Sequence, residues 1–168
     1  MSTPAHCRMM ARYNRLANER IYEACAALSD EERKADRRAF FRSIHGTLNH
    51  IMVGDRVWMA RFEGGSAPLG GLDAILYEDF DELRAARDAE DARIDACAAA
   101  ITQAELDADF ASVSSAGVRF VDPLNQLVTH MFNHQTHHRG QVHHMLSDAG
   151  LDPPSLDMHR ILNPTPAA

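Results

Sequence analysis

The stretch Leu127-Val128-Thr129-His130-Met131-Phe132-Asn133-His134-Gln135-Thr136-His137-His138-Arg139-Gly140-Gln141-Val142-His143-His144-Met145 decides how the rest of the chain is read. Leu127, Met131, His134, His138, Val142 and Met145 recur at steps of three and four, the period that keeps one face of an α-helix inside. Two imidazoles therefore occupy positions where the period expects hydrocarbon. A buried imidazole with neither a hydrogen bond nor a metal costs about 1–3 kcal/mol, so each ring needs a partner. At i and i+4 the two rings stand one turn apart on the same face, close enough to reach one ion. The residue after His134 is Gln135, where zinc peptidases of the H-E-x-x-H type carry a glutamate as general base, so peptide hydrolysis is not indicated. The bland alternatives are chance spacing in a histidine-rich helix, or rings satisfied by core hydrogen bonds.

Working outward, Asp122-Pro123 supplies a cap and a proline to open this helix, and Gly150 supplies its stop. The tail cannot continue as helix through Pro153, Pro154 and Pro164, so it is expected to wrap over the surface. Upstream, Ala108 to Val121 places Phe110, Val113, Val118 and Phe120 around Ser-Ser-Ala-Gly, which predicts two short strands and a turn. A helix is expected from Asp79, with Glu82 at capping-box spacing, burying Phe80, Leu83, Ile94, Cys97 and Ile101 and turning charge outward on its other faces. Gly64 to Gly71 reads as a long loop. Before it, Ile44, Leu48, Ile51, Trp58 and Phe62 mark a helix from Ser43, with Asp55 an exception in the stripe. The first helix begins at Thr3-Pro4, carries Met10, Tyr13, Ala17, Ile21, Ala24 and Leu28 inward, and is interrupted from Ser29 to Arg37. Leu28-Ser29-Asp30-Glu31-Glu32 and Ile101-Thr102-Gln103-Ala104-Glu105 echo each other at the ends of the first and third long helices. These elements predict one all-α domain over residues 1–168, a four-helix bundle with a long connection between the second and third helices.

With 24 acidic against 17 basic residues and a formal charge of −7, the chain should repel a phosphate backbone, which argues against nucleic acid as a partner. Cys7, Cys25 and Cys97 are odd in number and far apart, which points to a reducing compartment, the cytoplasm, rather than a disulfide framework. No apolar run approaches the roughly 20 residues of a membrane span, and Met1 to Arg12 carries polar and basic residues where a signal peptide would be apolar. No membrane association is expected.

A third metal ligand must come from another helix. His50, on the flank of the second helix's stripe, is the first candidate, with His45 and His130 as rivals. Three neutral imidazoles would leave a fourth position for water or substrate, as a catalytic metal requires, whereas a structural site is closed by four protein ligands. The strings Asn133-His134-Gln135-Thr136-His137-His138-Arg139-Gly140-Gln141 and Ser43-Ile44-His45-Gly46-Thr47-Leu48-Asn49-His50-Ile51, with Tyr13-Asn14 and Asn18, resemble the DinB-like, damage-inducible family of the wider DinB/YfiT-like superfamily of metalloenzymes. The resemblance implies an up-down-down-up four-helix bundle, usually a homodimer, holding a divalent ion, zinc or nickel, on residues that correspond to His50, His134 and His138. Similar bundles act as transferases or isomerases using a low-molecular-weight thiol, and most have no assigned reaction.

The leading expectation is therefore a metal-dependent enzyme in which an open coordination position lowers the pKa of a bound thiol or water. Arg139 would attract an anionic group of a small-molecule substrate, and Tyr13, Asn14 and Asn18 would orient it. The alternative for Arg139 is a surface ion pair. Two other readings stand beside this one: a non-catalytic metal or small-ligand binding protein, and a metal-free core in which Gly140 permits close helix packing. The methionines and Trp58 read as packing, and His137, His143 and His144 as solvent-facing.

Overall fold

The computed structural model describes residues 2–65, 70–114 and 117–164. They form α1 (Pro4–Ala26), α2 (Asp30–Lys34), α3 (Ile44–Phe62), α4 (Phe80–Ala100), α5 (Gln103–Leu106), β1 (Asp109–Val113), β2 (Arg119–Pro123), α6 (Leu124–Asp148) and α7 (Met158–Leu162). The fold is mostly helical, and β1 and β2 pair as a small antiparallel sheet. Among the long helices, α1 packs on α4 and α6, and α3 packs on α6 and α4. Ser66 to Leu69, inside the predicted loop, and Ser115 and Ala116, inside the predicted turn, lie outside the described residues.

The helix starts follow from side chains that accept orphan backbone N–H groups. Thr3 caps α1 by accepting from the His6 amide at 3.2 Å, Ser43 caps α3 from the Gly46 amide at 3.0 Å, and Asp79 caps α4 from the Asp81 and Glu82 amides, both at 2.9 Å. Glu82 does not complete a reciprocal box. The two echoed strings do: Ser29 with Glu32 opens α2, and Thr102 with Glu105 opens α5, so α1 and α4 are each followed by a short capped helix. The start of α6 differs from expectation. Asp122 and Pro123 belong to β2, Pro123 occupies the cap position, and no side chain caps the helix. The sheet takes over that task, since pairing Asp109 with Pro123 sets the direction in which α6 leaves. At the other end Gly150 adopts φ +83°, and the Leu151 amide returns to the Leu146 carbonyl at 3.1 Å, which closes the helix.

One apolar cluster joins Ile21, Ile44, Leu48, Met52, Leu83 and Val142, and a second joins Cys7, Met59, Ile94, Val128, Met131 and Phe132. The tail lies across α1 and α6 as expected: Tyr13 donates to the Leu156 carbonyl at 2.9 Å, Arg20 donates to the Ser155 carbonyl at 3.0 Å, and His143 bonds the Pro154 carbonyl at 3.1 Å. His143 is thus half-buried rather than free in solvent. Two further expectations are corrected. The polar side of α4 is not wholly outward, because Arg87, Glu90 and Asp91 are buried. Gly140 admits no close approach, since a Cβ there would meet nothing within 4 Å. Gly54 on α3 does admit one between helices, since a Cβ there would lie 2.6 Å from His134 Cε1.

Candidate metal centre

Packing of α3 on α6 brings His50 opposite His134 and His138. His50 Nε2 lies 3.0 Å from His134 Nε2 and 3.2 Å from His138 Nε2, and one ligand nitrogen from each residue falls within 4.8 Å of the others. Nitrogens bound at 2.0–2.1 Å around a tetrahedral ion stand about 3.4 Å apart, so a modest outward movement of the rings admits a cation.

What surrounds two of the rings fixes their protons. The Leu72 carbonyl accepts from His50 Nδ1 at 2.7 Å, and a carbonyl can only accept, so the neutral ring leaves Nε2 bare. Gln141 Oε1 accepts from His138 Nδ1 at 2.8 Å, while the Gln141 amide nitrogen faces His137 Nε2 at 3.3 Å. Two bare nitrogens, those of His50 and His138, are thus held 3.2 Å apart with their lone pairs converging. Protonation cannot easily relieve this. Burial pushes His50 and His138 below the usual imidazole range, and burial together with the facing His138 and His50 pushes His134 down to about 3. The His134 Nδ1 is buried without a hydrogen-bond partner among the described residues. Neutral donors aimed at one point, two of them oriented by outer hydrogen bonds, are the arrangement of a metal-ligating imidazole set, and the three histidines can hold a metal ion.

Neighbouring residues maintain this geometry. Phe41, in the segment before α3, lies flat on His50 with centroids 3.6 Å apart and planes 15° apart, covering one face of the ring. The turn that presents Phe41 puts Arg38 and Arg42 at φ +57° and +66°, conformations unusual for side chains of this kind. Asn49, fully buried, accepts from the Leu76 and Tyr77 amides at 2.9 and 3.0 Å and so anchors the segment that carries the Leu72 carbonyl. Gly54 leaves the room that His134 fills.

The rivals for third ligand are engaged elsewhere or point away. His45 Nε2 bonds the Tyr77 carbonyl at 2.8 Å, and exposed His130 packs edge-on against Trp58 at 5.3 Å.

Beside the triad lies a second buried polar group that periodicity does not reveal. Arg87 donates to Asp55 at 2.5 Å and pairs with Asp91 at 3.0 Å. Asn14 and Asn18 donate to Asp91 at 3.2 and 3.0 Å, Arg139 donates to the side-chain oxygens of both asparagines, and Gln135 donates to Asp55 at 2.6 Å. Arg139 is 2% exposed and sits 5.4 Å over the Tyr13 ring, so it is a buried cation and not a surface one. The four residues Tyr13, Asn14, Asn18 and Arg139 therefore come together, where they join α6 to α1. Asp55, the polar exception in its stripe, was the one signal of this network in the sequence. Gln135 and Arg139 each follow a ligand histidine by one residue, and helix phase alone could not say what they meet.

No curated protein matches the chain. A model of the DinB family matches residues 1–167, which takes in α1, both ligand helices and the tail, and the chain belongs to the DinB family.

Proposed function

We propose that this protein is a divalent-metal-dependent enzyme, built as one up-down-down-up four-helix-bundle domain over residues 1–168, whose ion is held by His50, His134 and His138. The observation that carries the reading is the convergence of three neutral imidazoles in which the protons of His50 and His138 are tied to outer acceptors, leaving bare nitrogens 3.2 Å apart. Zinc and nickel are the preferred ions, since both take imidazole readily. Bound there, such an ion would supply a Lewis acid that lowers the pKa of a thiol or water in the remaining position. The protein's own part is to orient and desolvate. The Leu72 carbonyl and Gln141 hold two tautomers, and Phe41 keeps water from one face of His50.

A low-molecular-weight thiol is the preferred cosubstrate, its sulfur joining an electrophilic carbon as a leaving group departs. Tyr13, Asn14, Asn18 and Arg139 are better suited to holding α6 against α1 than to touching that substrate, because their polar groups already bond one another, Asp91 and the Leu156 carbonyl. A cytoplasmic homodimer is the expected state, and among the described residues no helix is long and apolar enough to cross a membrane.

The test is elemental analysis of purified protein followed by a thiol-transfer screen with small electrophiles. One zinc or nickel per chain, and turnover abolished in His134→Ala and His138→Ala, supports the enzyme. Bound metal without turnover across the screen favours a metal-binding protein instead.

A further inference from the structure

Where α4 ends and α6 begins, the molecule has a half-open cavity of about 460 Å³ walled by Met59 and Phe62 of α3, Ile94 and Cys97 of α4, Phe132 of α6 and Phe110 of β1. Protein interiors contain few voids larger than a water molecule, and this volume falls in the range of small-molecule sites. Its origin is legible in α4. The run Ala96-Cys97-Ala98, followed by Ala100, presents side chains too short to reach the opposite wall. Phe62 and Phe110 meet edge to face at 5.8 Å, and Trp58 packs on Phe62 at 5.9 Å, so one wall is aromatic. Walls that are mainly apolar favour an apolar occupant, whose burial releases water from them.

The charges at the rim narrow the occupant. They are Glu63, Arg93, Glu105 and Asp109. The one cation is already consumed: Arg93 donates to Glu63 at 2.8 and 2.5 Å and to Glu90 at 2.9 Å. An incoming carboxylate would meet carboxylates and no free guanidinium, which disfavours fatty acids and aromatic acids. Both thiols on the wall, Cys7 and Cys97, are pushed up by burial and stay uncharged at neutral pH.

We propose that this cavity is a binding site for a neutral aromatic small molecule, separate from the histidine triad, whose residues do not line it. The full metal-loaded chain is titrated with N-phenyl-1-naphthylamine, an uncharged dye that brightens in apolar surroundings. Saturable binding of one dye per chain is expected, with displacement by naphthalenemethanol at least tenfold better than by naphthoate. Cys97→Phe, which fills the space from a half-buried position, should weaken the dye at least tenfold and leave the metal content unchanged. Should that variant fail to show a cooperative thermal transition, Ala100→Phe, from the exposed end of the same wall, takes its place. Unsaturable or multiple dye binding, equal competition by naphthoate, undiminished binding in the filled variant, or dye release as the protein dimerises onto this face would each overturn the proposal.

Discussion

Two buried polar groups lie side by side in this molecule and differ in one respect. The cluster of Asp55, Arg87, Asp91, Arg139, Asn14, Asn18 and Gln135 sets two carboxylates against two guanidiniums, and donors meet acceptors within it. The cluster of His50, His134 and His138 sets the bare Nε2 of His50 against the bare Nε2 of His138. The first contains its own counter-charges, so its charges are met within it, although Arg87 Nε, Arg139 Nε and Gln135 Oε1 have no hydrogen-bond partner among the described residues. The second has two bare nitrogens facing each other, which a cation could join. Burial alone therefore does not mark a site; what marks it is a set of groups that cannot satisfy one another.

The largest expected effect falls on the self-contained cluster. Asp55→Ala leaves Arg87 facing a lost partner in a fully buried setting, and breaking such a pair costs about 3–5 kcal/mol. For a chain of this size that corresponds to a fall in melting temperature of roughly 10 °C, read by calorimetry on the metal-free protein. A shift of only a degree or two would show the pair to be dispensable and erase the contrast.

His134→Ala should do the reverse. Metal affinity is expected to fall by more than the 10–100-fold typical of losing an outer hydrogen-bond partner, while the metal-free protein melts no lower than its parent, because a strained imidazole has been removed. Competition with a chelating dye reads the affinity. Gly54→Ala sharpens the same point from the opposite helix: its new methyl group would sit 2.6 Å from His134 Cε1, forcing the ring aside, and affinity should drop about tenfold with the fold intact.

The smallest effect is that of pH. All three ligands have their protonation pushed below the usual imidazole value of about 6.5, His134 to about 3. At neutral pH the ligands are already neutral, so metal affinity should be flat from pH 7 to 8. It should fall only below the ordinary imidazole range, where His50 and His138, held down by burial, take up protons that compete with the ion. A steep rise in affinity between pH 7 and 8 would mean that the ligands are protonated at neutrality, against the burial and mutual repulsion described above.

The histidine pair was legible because i, i+4 spacing is a local property of one helix, and His50 because the string around it resembles a family pattern. The helix starts at Thr3, Ser43 and Asp79 and the hairpin were legible for the same local reason. Asp55 stood out as a misfit without naming Arg87 as its partner, since that contact joins α3 to α4 across a long connection. The buried charges of α4 are not legible, because amphipathic phase separates apolar from polar but not satisfied from exposed. Gly54 was silent, and Gly140 misleading, because a glycine's purpose lies in what the neighbouring helix brings against it. The start of α6 was misread because sheet pairing, not a local cap, sets it.

The most direct measurement is the metal stoichiometry and coordination of the purified protein reconstituted with zinc, by elemental analysis and X-ray absorption. One ion per chain in a shell containing three imidazole nitrogens is expected, reduced to background in His134→Ala. A wild-type chain that retains no ion after reconstitution, or one whose ion survives loss of His134 unchanged, would contradict the account.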